Sequence, residues 1–104
     1  MPDPNDLQLD RMRAAAGEAS QLLRSLGNQD RLLLLCQLCE EELSVGELEE
    51  RLDIRQPSLS QQLGVLRREG LVATRKQGKR VYYRVADPKV LALLQTLYQL
   101  YCAE

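Results

Sequence analysis

The most reactive side chains in this 104-residue sequence are three cysteines, Cys36, Cys39 and Cys102, and no histidine accompanies them. Without histidine the chain loses the commonest zinc ligand and the commonest general base. A cysteine enzyme needs a base to activate its nucleophile, and none is offered. A disulfide oxidoreductase places Cys-X-X-Cys at a helix N-terminus, where the dipole stabilises the thiolate. Here Cys36-Gln37-Leu38-Cys39 lies in the middle of a leucine-rich helical run instead. The sequence is therefore not read as an enzyme, and no cofactor is expected. Two readings of the thiols stay open on the residues alone. A cysteine on an apolar helix face is most often a small buried hydrophobe. Alternatively, Cys36, Cys39 and Cys102 together could hold a soft ion such as arsenite or Cu(I).

The other chemistry is electrostatic. Net charge is −1, yet the segment Arg55–Arg84 holds eight basic residues opposed only by Glu69, a local balance of +7. Polarisation of this kind is the footprint expected for a phosphate backbone. A solvated basic surface without a partner is the plainer alternative. A domain serving only as a protein-interaction module would not need this segment. The composition, 44% apolar and 28% charged, fits one soluble domain. No apolar run exceeds Leu32–Cys36, too short to span a membrane, and the start carries no secretory pattern. A cytoplasmic protein with reduced thiols is expected.

The elements that position these groups follow from periodicity. Residues 1–8 are expected to form a mobile head, and 9–103 a single domain. Leu9, Met12, Ala16, Ala19, Leu23 and Leu26 recur at steps of three and four, a narrow seam suited to helix pairing. Gly27-Asn28 ends this helix, and Asn28 can cap the next. The second helix, about Gln29–Glu41, is apolar nearly all round and is expected to be central and buried. Ser44-Val45-Gly46-Glu47 has the form of a capping box and opens a short helix to about Leu52. Pro57 fits the first position of another helix, which Gly70 stops. Val72–Lys76 and Arg80–Val85 are β-branched and aromatic, joined through Gln77-Gly78 as a hairpin with a basic tip. Asp87-Pro88 opens a last helix to about Cys102. The fold class is mainly α with a small β-hairpin: a winged helix-turn-helix of about five helices and a two-stranded wing.

On the helix Pro57–Glu69, Leu59, Leu63 and Leu66 share the face that must enter the core. Pro57, Ser60, Gln61, Gly64 and Arg68 lie opposite, with Ser58 and Arg67 on the flanks. Glutamine can bond an adenine edge in pairs and serine can reach bases or phosphate. Gly64 removes a side chain where a close approach is needed, and the helix N-terminus offers amides to phosphate. The predicted interface with double-stranded DNA is thus Pro57, Ser58, Ser60, Gln61, Gly64, Arg67 and Arg68, with Lys76, Lys79 and Arg80 from the wing. The hairpin could instead be a plain edge whose charges block aggregation.

From about Leu22 to Cys102 the chain resembles the ArsR/SmtB family of bacterial winged-helix repressors. The resemblance lies in Leu26-Gly27-Asn28-Gln29-Asp30-Arg31, in Pro57-Ser58-Leu59-Ser60-Gln61-Gln62-Leu63, in Leu66-Arg67-Arg68-Glu69-Gly70-Leu71-Val72, and in Gly78-Lys79-Arg80-Val81-Tyr82-Tyr83-Arg84. Gln62 departs from the histidine of many members, which implies a different base preference. The resemblance implies a homodimer built on the first and last helices, releasing its operator when an inducer acts. The metal sites of other members are missing, since Ser44–Leu48 has no cysteine and the last helix no histidine. Leu34-Leu35-Cys36-Gln37-Leu38 and Thr96-Leu97-Tyr98-Gln99-Leu100-Tyr101-Cys102 resemble the thiol-based branch that senses sulfide-derived persulfides. That likeness implies a redox pair, Cys36 and Cys102, linked through sulfur when reactive sulfur or another small oxidant is present. Cys39 departs from the branch's pattern.

Overall fold

A computed structural model of the chain describes residues 4–102. Helix α1 runs over Pro4–Leu26, α2 over Gln29–Glu40, α3 over Val45–Leu52, α4 over Ser58–Arg68 and α5 over Pro88–Tyr101. Strands β1 (Leu43–Ser44), β2 (Val72–Gln77) and β3 (Arg80–Val85) form an antiparallel sheet in the order β1-β3-β2. The winged helix-turn-helix architecture is as expected, with three corrections at its edges. The head expected over 1–8 is helical from Pro4 onward, because a proline in the first turn forfeits no hydrogen bond; residues 1–3 lie outside the described part. The wing has a third strand, since Leu43 and Ser44 pair with Tyr83 and Tyr82, too short a segment to show an alternating pattern. The hairpin loop is Gly78-Lys79, one residue later than expected, because Gln77 pairs with Arg80. Gly78 takes φ +62° there, a backbone region that glycine enters without steric cost.

Local chemistry sets most boundaries. Asn28 accepts from the Arg31 amide at 3.1 Å. The capping box is complete: Ser44 Oγ accepts from the Glu47 amide at 3.3 Å, and the Ser44 amide donates to Glu47 Oε1 at 3.1 Å. Pro57 sits in the cap position of α4, just before its first residue. Its carbonyl accepts from the Gln61 amide, while Gln56 Oε1 accepts from the Ser60 amide at 3.2 Å. The end of α4 is a Schellman motif, with Leu71 N–H bonded to Leu66 O and Gly70 N–H to Arg67 O. Gly70 adopts φ +74° to allow it.

One core gathers Leu34, Leu35 and Leu38 of α2, Leu48 of α3, Leu59, Leu63 and Leu66 of α4, and Val90 and Leu94 of α5. Leu26 joins it from the end of α1, and Leu43, Leu71 and Val72 from the sheet. The second helix is not buried all round, as its composition suggested. Leu33 is 40% exposed and Cys36 is exposed, because the neighbouring elements leave that side of α2 open. Nor does α1 pack along its length: Met12 is 65% exposed and Leu23 56%. At about 1.5 Å rise per residue, its 23 residues form a lever projecting from the core. The radius of gyration, 16.6 Å, accordingly exceeds the roughly 13 Å of a compact chain of about 100 residues.

The box at α3 is expected to be measurable. Ser44→Ala should cost about 1 kcal/mol, lowering the thermal midpoint by about 4–8 °C in a calorimetric scan. The Ser44 backbone amide and hydroxyl hold the Glu47 carboxyl below its ordinary pKa. Alanine keeps the amide's contribution and loses the hydroxyl's, which is present at neutral pH and fades as pH falls through the glutamate range, so the parent–variant gap should narrow in acid.

Candidate nucleic-acid interface and thiol cleft

Burial of Leu59, Leu63 and Leu66 fixes which side of α4 faces outward. Pro57, Ser60, Gln61, Arg67 and Arg68 are exposed along it, and Ser58 and Gly64 are half-buried. A Cβ on Gly64 would meet only Arg68 Nη1, at 3.5 Å. The chain's own packing therefore does not demand glycine there, whereas close approach of an outside surface would. On the wing, Lys76, Lys79 and Arg80 are all exposed. Arg80 stands near enough to Glu47 to help depress its pKa.

Two residues behave differently from the expectation. Gln62 does not join the outward face: half-buried, it accepts from Arg31 Nη1 at 2.9 Å. In the free chain its departure from histidine therefore changes an internal contact. Arg75, counted in the basic segment, is committed within the sheet. It pairs with Glu42, donates to Gln77 Oε1 at 2.7 Å and stacks 4.7 Å from the Tyr82 ring centre, a favourable cation–π distance. Neither Arg31–Gln62 nor Arg75–Glu42 is legible locally, since the partners are 31 and 33 residues apart.

The thiols lie on the opposite flank of α2. Cys36, Cys39 and Glu40 face Leu94, Gln95, Tyr98 and Gln99 of α5 across a cleft of about 220 Å³. All three cysteines are free; Cys36 and Cys102 are exposed and Cys39 is half-buried. Cys102 closes α5, its amide bonded to Tyr98 O at 2.8 Å. Partial burial raises the Cys36 pKa, and the charges of Cys102 and then Glu40 raise it further. Cys102 lies at the end of the helix that forms the far wall of this cleft. Burial, with the charges of Cys36 and Glu40, pushes Cys39 up to about 11, so its thiol stays protonated at neutral pH. Glu40 was missed in the sequence, although it stands one helical turn after Cys36 and could have been found by that spacing. Among the described residues, no three cysteine or acidic side chains are grouped closely enough to hold a metal ion. The three thiols of the soft-ion alternative are not assembled within the protomer.

Comparison with known proteins agrees with this architecture. Residues 28–74 match the bacterial regulatory proteins of the arsR family. A biofilm growth-associated repressor of Agrobacterium fabrum is 48% identical over 101 residues, 97% of this chain and 86% of that protein. The crystal structure of the transcriptional repressor BigR from Xylella fastidiosa matches with a TM-score of 0.85 at 46% identity, covering 91% of this chain and 97% of that one. Reduced HlyU from Vibrio cholerae matches with a TM-score of 0.85 at 44% identity, covering 89% of this chain and 98% of that one. Sequence and fold thus agree along nearly the whole chain: the protein belongs to the arsR family of bacterial regulatory proteins, and it is a winged helix-turn-helix regulator rather than an enzyme.

Proposed function

We propose that this protein is a cytoplasmic, homodimeric repressor that binds a specific operator and releases it when reactive sulfur links Cys36 to Cys102. The observation that carries the reading is the pair of surfaces on either side of α2. An outward polar and basic face of α4 lies on one side, and on the other an exposed Cys36 faces α5, the helix that ends at exposed Cys102. The names of the similar repressors in Agrobacterium and Xylella support the direction of regulation. Leu9, Met12 and Leu23 on α1 and Tyr98, Leu100 and Tyr101 on α5 are exposed, and a second copy would cover such apolar side chains. A two-fold dimer then sets its two α4 helices into successive major grooves, about 34–36 Å apart.

The chemistry balances without an enzyme. The Cys36 thiolate attacks the sulfane sulfur of a persulfide RSSH, forming Cys36–SSH and releasing RSH. The Cys102 thiolate attacks Cys36 Sγ, forming the Cys36–Cys102 disulfide and expelling the sulfane sulfur as H₂S. Two thiols lose two protons and two electrons, and the sulfane sulfur takes both. Such a bridge ties α2, which packs against α4, to α5 at the other flank, and biases the spacing of the paired reading helices. A coupling of this kind is typically worth about 1–3 kcal/mol.

Three results are expected. Gln61→Ala should weaken operator binding by about 1–3 kcal/mol and relax preference at one base pair per half-site; Lys79→Ala and Arg80→Ala should weaken all sequences alike and flatten the salt dependence. Binding titrations against operator and random duplexes read both, and unchanged behaviour of Gln61→Ala refutes the assignment of α4. Sedimentation at micromolar concentration should give a dimer; a monomer that still binds tightly refutes the two-fold unit. Cys36→Ser and Cys102→Ser should bind DNA yet ignore persulfide, while Cys39→Ser still responds. Release by arsenite or Cu(I), abolished in Cys39→Ser, would instead establish the soft-ion reading.

A further inference from the structure

The guanidinium of Arg31, on α2, bonds two other helices at once. Arg31 sits in the first turn of α2, its amide bonded to the Asn28 cap. Its side chain turns back to the end of α1, where Nε donates to Ser25 O at 2.6 Å and Nη2 to Arg24 O at 3.3 Å. These are among the last carbonyls of α1, which have no partner within their own helix. The remaining arm, Nη1, donates to Gln62 Oε1 on α4 at 2.9 Å. A planar guanidinium presents its donors in a rigid fork, so these bonds fix directions as well as distances. Ser25 and Leu26 are buried, whereas the rest of α1 from Gln8 onward is exposed apart from half-buried Leu22. Arg31 thus grips the projecting lever at its root. The leucine face of α4 holds it in the core, where interlocking side chains restrict its crossing of α2; the Arg31–Gln62 bond adds a directional tie between α4 and the end of α1.

We propose that Arg31 and Gln62 are the joint that sets the angle between α1 and α4, and that they are positioning residues for operator recognition. The proposal rests on α1 as the dimer helix and α4 as the reading helix. In a two-fold dimer the separation of the reading helices depends on how each is held relative to the helix at the dimer axis. A hydrogen bond between those elements therefore governs which half-site spacing is accepted. Gln62 acts through its bond to Arg31 and needs no contact with a base.

The test compares two duplexes: the operator selected in vitro by the parent protein, and the same operator with one base pair inserted between its half-sites. The readout is the ratio of the two affinities, which a mere loss of folded protein leaves unchanged. Gln62→Met, which keeps the volume and removes the acceptor, should lower that ratio about tenfold, within the range usual for coupled sites. Arg31→Lys should do the same, and the double variant should be no worse than the more affected single one. Gln62→Glu keeps the acceptor and should keep the ratio, even as its charge weakens binding to both duplexes. An unchanged ratio in Gln62→Met, or equal loss on both duplexes, overturns the joint. Gln61→Ala is measured beside them: if it alone weakens binding, α4 reads DNA and only the joint fails; if it has no effect, the reading of α4 itself fails.

Discussion

Burial of Leu34, Leu35 and Leu38 along one side of α2 is the constraint from which the other elements take their places. Each buried leucine is worth about 1.5–3 kcal/mol, against a net stability of only about 5–15 kcal/mol for a domain. The leucines of α4, the end of α1, α3, α5 and the sheet all close on that stripe. Because α2 is covered on only part of its circumference, Leu33 and Cys36 are left at the surface. The same packing choice that builds the core thus exposes the thiol. A helix buried all round would have made Cys36 an inert hydrophobe.

How far the fold could be read in advance depended on the range of the interactions involved. The capping box Ser44–Glu47, the Asn28 cap and the Gly70 stop use partners within a few residues, and each is found where the sequence placed it. The leucine face of α4 is equally legible because helical periodicity alone decides it. By contrast, β1 exists only because β3 runs beside it. The Gln56 side-chain cap at the start of α4 replaces a residue type usual in that role. The exposure of α2 depends on which neighbours arrive, and no pattern along a single helix contains that information.

The candidate site divides in the same way. The outward residues of α4 and the wing follow from local periodicity, and the structure leaves Ser60, Gln61, Lys79 and Arg80 exposed as expected. The sequence could not separate Arg75 from the other basic side chains of its segment, because Glu42 and Tyr82 engage it from other parts of the chain. It placed Gln61 and not Gln62 on the outward face, but it could not show that Gln62 binds Arg31. The two glutamines are adjacent on the helix, yet about 100° of helical rotation, from 3.6 residues per turn, turns one toward Arg31 and leaves the other in solvent.

That division has an electrostatic consequence. An arginine already paired with Glu42 and stacked on Tyr82 has little free charge to offer a phosphate, since its field is largely cancelled at short range. Arg80 is offset in a smaller degree by Glu47. The basic segment is therefore weaker as a whole than its composition, while Lys76, Lys79, Arg67 and Arg68 remain exposed. In a chain whose total charge is −1, long-range attraction to a polyanion is correspondingly small. Binding must draw on contacts formed at close range, where the direction of α4 counts. Under the proposed reading as a thiol-switched dimer, such a protein responds to small changes in the spacing of its two α4 helices, and a bond between the flank of α2 and the end of α5 is proposed to act through that spacing.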